Sequence, residues 1–402
     1  MTTKAQIIAK IDALMPELVA MSDRIHDNPE IGYQEHQAST ILADRLERSG
    51  FTVEHGLDGL ETAFRATYGR GGPTVAFIAE MDALPEIGHA CGHNIIGPAA
   101  VGAAIALREV MPDLVGRVMV IGTPAEEVPP PVKKRLVEAG YFKDVDVALI
   151  THGADRTAVG GQTLAIHALG LQFTGKAAHA SAAPDKGISA LDAAVLTMHA
   201  IELLREHVRQ ETRIHGIITD GGQAPNVVPE RAALRYYIRS FDSEYLEEVV
   251  QRVHNCARGA AMAVGAGVEI TSLGVWDSRY NVPTLNDTLL ANAEAGGAFQ
   301  VLPVSERTGS TDFGTVTRTL PAATLKVALV DEGVPGHSQD FVRESGGERG
   351  HRCLLVGAKA MAGTAYDVLT DPELLRRIKA EFASGRTAIS DAQRPALDVL
   401  VK

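Results

Sequence analysis

Between residues 79 and 98 the chain reads AEMDALPEIGHACGHNIIGP, and His89, Cys91 and His93 fall at alternate positions within it. Alternate side chains of an extended segment point to one side, so Cys91 and His93 are placed to converge, with His89 able to join them. Thiolate and imidazole together suit a borderline-soft cation such as zinc, and Gly92 lets the backbone turn tightly between them. Two other readings of the pair stand beside this one: a buried structural cysteine next to a satisfied histidine, and a thiolate nucleophile activated by its neighbour. Further ligand types elsewhere favour metal. Glu126 and Glu127 follow the apolar run 117–122, His152 follows the run 145–150, and His337 sits in the Gly/Pro-containing stretch GVPGHSQDF. Adjacent carboxylates are usually a solvated pair. In an extended segment, though, they face opposite ways, which lets one ligate a metal while the other acts as general base on water. Asp82, just past the run 74–80, is placed to orient a ligand histidine.

These residues need a scaffold that gathers them. The runs 74–80, 117–122, 145–150 and 324–330 are short and continuously apolar, and helical patterns at 98–111 and 132–139 separate the first three. Strands apolar on both faces that alternate with helices predict an α/β domain with a mostly parallel sheet flanked by helices. Ligands of such sheets bind beyond the carboxyl ends of the strands, where the candidate residues lie. Upstream, helices are expected over 4–26, ended by Asn28-Pro29, and over 35–49, ended by Gly50. A strand over 62–68 and a turn over 69–73 follow. From about residue 165 the texture changes. Strands at 168–179, 212–219, 232–240 and 268–275 and helices at 189–207 and 244–263 give the order βαββαβ, which predicts a small α+β, ferredoxin-like unit with two helices on one face of four strands. The expected division is therefore a discontinuous catalytic domain, 1–166 and 279–402, with an inserted domain at 167–278. The tail, 350–382, is helical in pattern.

The 402 residues argue for more than one domain. A formal net charge of -12 argues against a nucleic-acid footprint. Three cysteines, Cys91, Cys256 and Cys353, make no disulfide framework and suit a reducing compartment. The N-terminal stretch lacks the apolar core of a signal peptide, and nothing approaches the roughly 18 apolar residues of a membrane span. A cytoplasmic protein with no membrane and no nucleic-acid partner is expected.

With these motifs in view, the chain resembles peptidase family M-twenty, the metal-dependent superfamily of aminoacylases, glutamate carboxypeptidases and auxin-conjugate amidohydrolases. The likeness is carried by HDNPEIGYQE, AEMDALPEIGHACGHN, GTPAEE, GKAAHASAAPDKGISALDA, GGQAPNVVPE, GSTDFG and GHSQDF, and runs nearly end to end. CGHN and the placement of IGHACGH after DALP resemble the branch of aminobenzoyl-glutamate hydrolase subunits and their dipeptidase-like relatives. The resemblance implies two divalent ions held by Cys91, His93, Glu127, His152 and His337, with Glu126 as general base. It implies that the inserted domain is a dimerisation lid. It further implies that His179 reaches the partner's active site to bind the substrate carbonyl, and that Asn226, Arg239 and Ser310 hold substrate, the arginine by pairing with a carboxylate. Without it, His179, Asn226 and Arg239 read as ordinary surface residues. Two departures stand out. Val128-Pro129-Pro130-Pro131 replaces the glycine run usual after PAEE in that branch, stiffening the loop beside the base, and Gly153-Ala154-Asp155 follows His152 where a proline is common.

The expected function is dinuclear amide hydrolysis of a small N-acyl or aminobenzoyl amino acid or a dipeptide, through a metal-bridging hydroxide with Glu126 as base and His179 on the oxyanion. Zinc or manganese is expected, with cobalt or nickel as further choices. The rival readings are hydrolytic deamination of an aromatic amine at the same site, a cysteine-nucleophile hydrolase, and a metal-binding protein without catalysis. The partners expected are a small-molecule substrate and a second copy of the chain.

Overall fold

Apolar positions at helical spacing along Lys4–His26 (α1) bury Ile7, Ile11, Leu14, Leu18 and Ile25, and α2 (His36–Arg48) buries Leu42 and Leu46 on one face in the same way. The computed structural model describes residues 3–305 and 309–392. They divide into two units: residues 3–161, 280–305 and 315–392 make the first, and 162–279 with 309–314 the second.

In the first unit α2 is followed by β1 (Thr52–His55), β2 (Phe64–Glu80), α3 (His93–Val110), β3 (Val115–Thr123), α4 (Val132–Glu138), β4 (Val147–Ala154) and β5 (Ala158–Val159). Among the described residues they share one six-stranded sheet with β10 (Ala322–Ala328). The two halves of β2 behave as separate strands. Partners on β3 fall from Gly122 to Arg117 as β2 runs from Phe64 to Gly69, then rise from Arg117 to Thr123 as it runs from Thr74 to Glu80. The chain thus reverses at residues 69–73, where the turn is expected, and both halves lie against β3. The second half runs parallel to β4, and β4 parallel to β10, so the carboxyl ends of β2, β3, β4 and β10 share one edge of the sheet. Helix α3 is buried on nearly every side, as a helix apolar all round must be. It admits its neighbours closely through Gly102, against Leu18 of α1, and Gly97, against Leu42 of α2.

The second unit reads β6 (Ala165–Thr174), α5 (Ala190–Arg205), β7 (Arg213–Asp220), β8 (Arg231–Ser240), α6 (Ser243–Val264) and β9 (Gly267–Trp276), the expected βαββαβ. Its sheet is antiparallel throughout, in the order β7-β8-β6-β9, and its own core includes Leu171, Phe173, Ile201, Leu234, Ile238 and Val253. The Ser189 and Asp242 side chains cap α5 and α6. The strand expected over 168–179 ends at Thr174 instead. A Cβ on Gly175 would come 2.1 Å from the carbonyl oxygen of Ile188, so the chain turns here in a close backbone approach that glycine permits.

The return to the first unit brings α7 (Pro283–Ala295), α8 (Phe313–Thr319), β10, α9 (Gln339–Ser345), α10 (Glu348–Thr370) and α11 (Pro372–Ala392). The helical tail is therefore two helices, broken at Asp371-Pro372, as the restriction on a residue before proline requires.

Candidate metal centre

Each strand that ends at the shared edge delivers a side chain to one pocket of the first unit. β2 delivers Glu80 and Asp82, β3 leads to Glu126 and Glu127, β4 carries His152, and the loop after β10 carries His337. Cys91 and His93 arrive on the turn that opens α3. That turn is not extended as the alternate spacing suggested. Gly92 is left-handed, with φ 77°, and His93 is the first helical residue, so a tight turn aims the thiol and the imidazole together. His89 points elsewhere. Its Nε2 lies 3.2 Å from the carbonyl of Ile25, and its ring stacks on His26. Similarly, Glu126 and Glu127 do not alternate on an extended segment, because Ala125 has φ 54°. The bend turns both carboxylates toward His93.

Among the described residues of the first unit, three triads of potential ligand atoms each fit within 4.8 Å: Cys91, His93 and His152; Cys91, Glu127 and His337; and His93, Glu126 and Glu127. Cys91 belongs to two of them. Its Sγ is 3.3 Å from His152 Nε2, and Glu127 Oε1 is 3.5 Å from His337 Nε2 and 3.9 Å from His93 Nε2. The outer atoms of these side chains are held in turn. His93 Nδ1 lies 3.0 Å from Asp82 Oδ1, and Asp82 Oδ2 accepts the backbone N–H of Glu127 at 3.0 Å. His152 Nδ1 is 2.6 Å from the carbonyl of Gly153, which leaves Nε2 facing the pocket.

His93 Nε2 and Glu127 Oε1 are buried without a hydrogen-bond partner. Burying such atoms unpaired is costly, and a divalent cation is the partner that both accept. Soft sulfur, two or three imidazoles and a carboxylate form a donor set suited to zinc or a related transition ion. The residues therefore fit the metal that their types imply.

Burial opposes a charge on His93, but its hydrogen bond with Asp82, the Asp82 charge and Cys91 outweigh it and raise the ring well above 6.5. Burial lowers His152 to about 4, which keeps it neutral and able to ligate. Burial, with Glu127 beside it, pushes the Cys91 thiol well above 9.0. Only a strong nearby cation favours the thiolate there, so Cys91 suits a ligand far better than an unassisted nucleophile. Glu127 is lowered against its burial by the neighbouring His337 and the charge of His93.

One pair at this pocket carried no signal in the sequence. Lys133, in the first turn of α4, is 0% exposed, and its ammonium lies 2.9 Å from Glu80 Oε1. The other oxygen of Glu80 is 3.5 Å from His93 Nε2. A lysine at a helix start reads as solvated, and only the position of Glu80 at the end of an apolar strand hinted at burial.

The remaining expected site residues belong to the second unit. His179 is exposed, and its Nδ1 accepts from the backbone of Ser181 and Ala182. Asn226, also exposed, lies on the adjoining segment, where its carbonyl accepts from Ala180 N at 3.0 Å. Arg239, on β8, directs Nη1 to Ser310 Oγ at 3.4 Å and Nε to His215 at 3.2 Å. It forms no ion pair among the described residues, and burial lowers its pKa.

A peptidase dimerisation domain matches residues 165–263. The chain is 35% identical over 400 residues to the Xaa-Arg dipeptidase of Mus musculus, covering 94% of this chain and 92% of that one. It is 30% identical over 449 aligned residues to a p-aminobenzoyl-glutamate hydrolase subunit of Escherichia coli, covering 92% and 93%. Among solved structures, its fold matches a dinuclear metal-binding peptidase of Bacillus subtilis with a TM-score of 0.67 and 21% identity, over 88% of this chain and 99% of that one.

Proposed function

From the premise that the chain belongs to peptidase family M-twenty, and is a hydrolase of C–N bonds, we propose that it cleaves the amide of a dipeptide or of an N-acyl or aminobenzoyl amino acid. The observation that carries the reading is the pair of overlapping triads that share Cys91, with Glu126 beside them and within reach of His93. Cys91, His93 and His152 would hold one divalent ion, and Cys91, Glu127 and His337 a second. When bound, such a pair supplies Lewis acidity to the substrate carbonyl and lowers the pKa of water.

The protein's own residues divide the remaining work. Asp82 fixes the tautomer of His93 and holds the amide of Glu127. Glu126 takes the proton of the attacking water at its carboxylate and passes it to the leaving amine. The likeness to the Xaa-Arg dipeptidase and to the aminobenzoyl-glutamate hydrolase supports substrates that carry a free carboxylate. Arg239, half-buried and without an ion pair among the described residues, is the group to receive it, with Ser310 beside it. By the family resemblance, His179 would bind the substrate carbonyl and Asn226 would help to hold the substrate; both are exposed on adjoining segments of the second unit. The matched dimerisation domain supports a homodimer.

The test is Glu126→Gln, assayed on dipeptides with C-terminal arginine and on p-aminobenzoyl-glutamate, with product identity and metal content read together. Turnover is expected to fall by at least about 10²-fold while metal content stays that of the wild type. Metal loss in parallel with activity would reverse the roles of the two glutamates.

A further inference from the structure

We propose that Glu35 is a positioning residue that holds Glu126 in place through the backbone of Ala125; this rests on the reading of Glu126 as the general base. Glu35 closes the motif HDNPEIGYQE and lies 90 residues from Ala125 in the chain. It is 0% exposed, and it belongs to none of the ligand triads. Its carboxylate is nevertheless fully engaged. Oε1 accepts the N–H of Ala125 at 2.7 Å and that of Tyr33 at 3.0 Å, and Oε2 accepts the hydroxyl of Thr62 at 2.9 Å.

Ala125 needs such a hold. It is buried and adopts φ 54°, a left-handed conformation that disfavours alanine and persists only where its surroundings impose it. The next residue is Glu126, and the N–H after that, of Glu127, is held by Asp82. Two buried carboxylates, Glu35 and Asp82, thus fix the amides on either side of the proposed base. The segment around Glu35 also grips the proline loop that follows. The Tyr33 hydroxyl donates to the carbonyl of Pro130 at 2.9 Å. Gly32 packs where a Cβ would come 2.4 Å from Val128 Cγ2 and 3.0 Å from Ala125 Cα. A loop held at residues 125, 128 and 130 by a segment that takes no metal sets the direction of Glu126 independently of metal binding. Misplacement of a reacting group by about 1 Å costs about a hundredfold in rate.

The experiment compares metal-loaded Glu35→Ala, Glu35→Gln and Tyr33→Phe with wild type for kcat, KM, metal content and amide exchange across residues 121–131. Glu35→Ala is expected to lower kcat about 10- to 100-fold, with KM within about threefold, metal content unchanged and exchange at Ala125 at least about tenfold faster. Glu35→Gln keeps an oxygen for both N–H groups, and its NH2 can donate to the Thr62 hydroxyl, so kcat should return to within about threefold of wild type. Tyr33→Phe leaves the buried carboxylate intact and should speed exchange at the loop with a smaller fall in kcat. If Glu35→Ala does not fold, Glu35→Asp, whose carboxylate keeps its charge but falls one methylene short of the Ala125 N–H, takes its place with the same expected changes. Wild-type kcat and exchange in Glu35→Ala, or in Glu35→Asp where it must stand in, overturn the proposal, as does a kcat loss that glutamine does not restore. Retained turnover in Glu126→Gln would sink the base assignment instead, and exchange at Ala125 would still report on the hold itself.

Discussion

His89 shows how narrowly the cluster of candidate ligands is drawn. It lies two residues from Cys91, yet its ring turns to Ile25 and His26, and burial lowers its pKa to about 3. The unfolded chain binds this proton near 6.5 and the native chain only near 3. Between those values the unfolded state therefore holds more protons, and stability is lost as pH falls. The stability difference between wild type and His89→Gln, from urea unfolding, should drift by about 1.4 kcal/mol per pH unit below 6.5, with wild type the steeper; parallel profiles would contradict this. Cys91, His93, Glu126, Glu127, His152 and His337 were legible as a cluster because strand order in a parallel sheet brings carboxyl ends together whatever the loops do. The local geometry was not legible. Nothing in the sequence marks Ala125 as left-handed, since that conformation normally advertises itself as glycine, and Glu35 makes its contact across 90 residues with no spacing to betray it.

Among elements, the joint between β2 and α4 bears most on the centre. Lys133 and Glu80 tie the helix after the proline loop to the strand that delivers Asp82. Breaking a buried pair by removing one partner leaves the other charge stranded and costs about 3–5 kcal/mol. Lys133→Met should lower stability by that amount in chemical denaturation, and adding Glu80→Gln should recover much of it. A loss below about 1 kcal/mol would mean that solvent or another group already serves Glu80. The helices and strands were largely readable from periodicity. The short ones, β1 and β5, were not, because two to four residues carry no period, and the break between α10 and α11 was hidden in one long amphipathic pattern.

At the scale of the whole molecule, the second unit presents an edge strand, β7, with Ile217 and Ile218 exposed at 60% and 44%. Apolar side chains on an open edge invite pairing, and a peptidase dimerisation domain spans this region. Light scattering after size exclusion should give twice 42.6 kDa, and Ile217→Lys should shift the mass toward one chain; a monomeric wild type would remove the dimer from the proposed function. In the first unit, the most direct measurement is the number of divalent ions that the metal-free protein takes up, by titration calorimetry with zinc and with manganese. Two ions per chain are expected. Cys91→Ala should weaken both sites, whereas His152→Ala and His337→Ala should each weaken a different one. A single ion in the wild type, or two full-affinity ions in Cys91→Ala, would contradict a centre built on a shared cysteine.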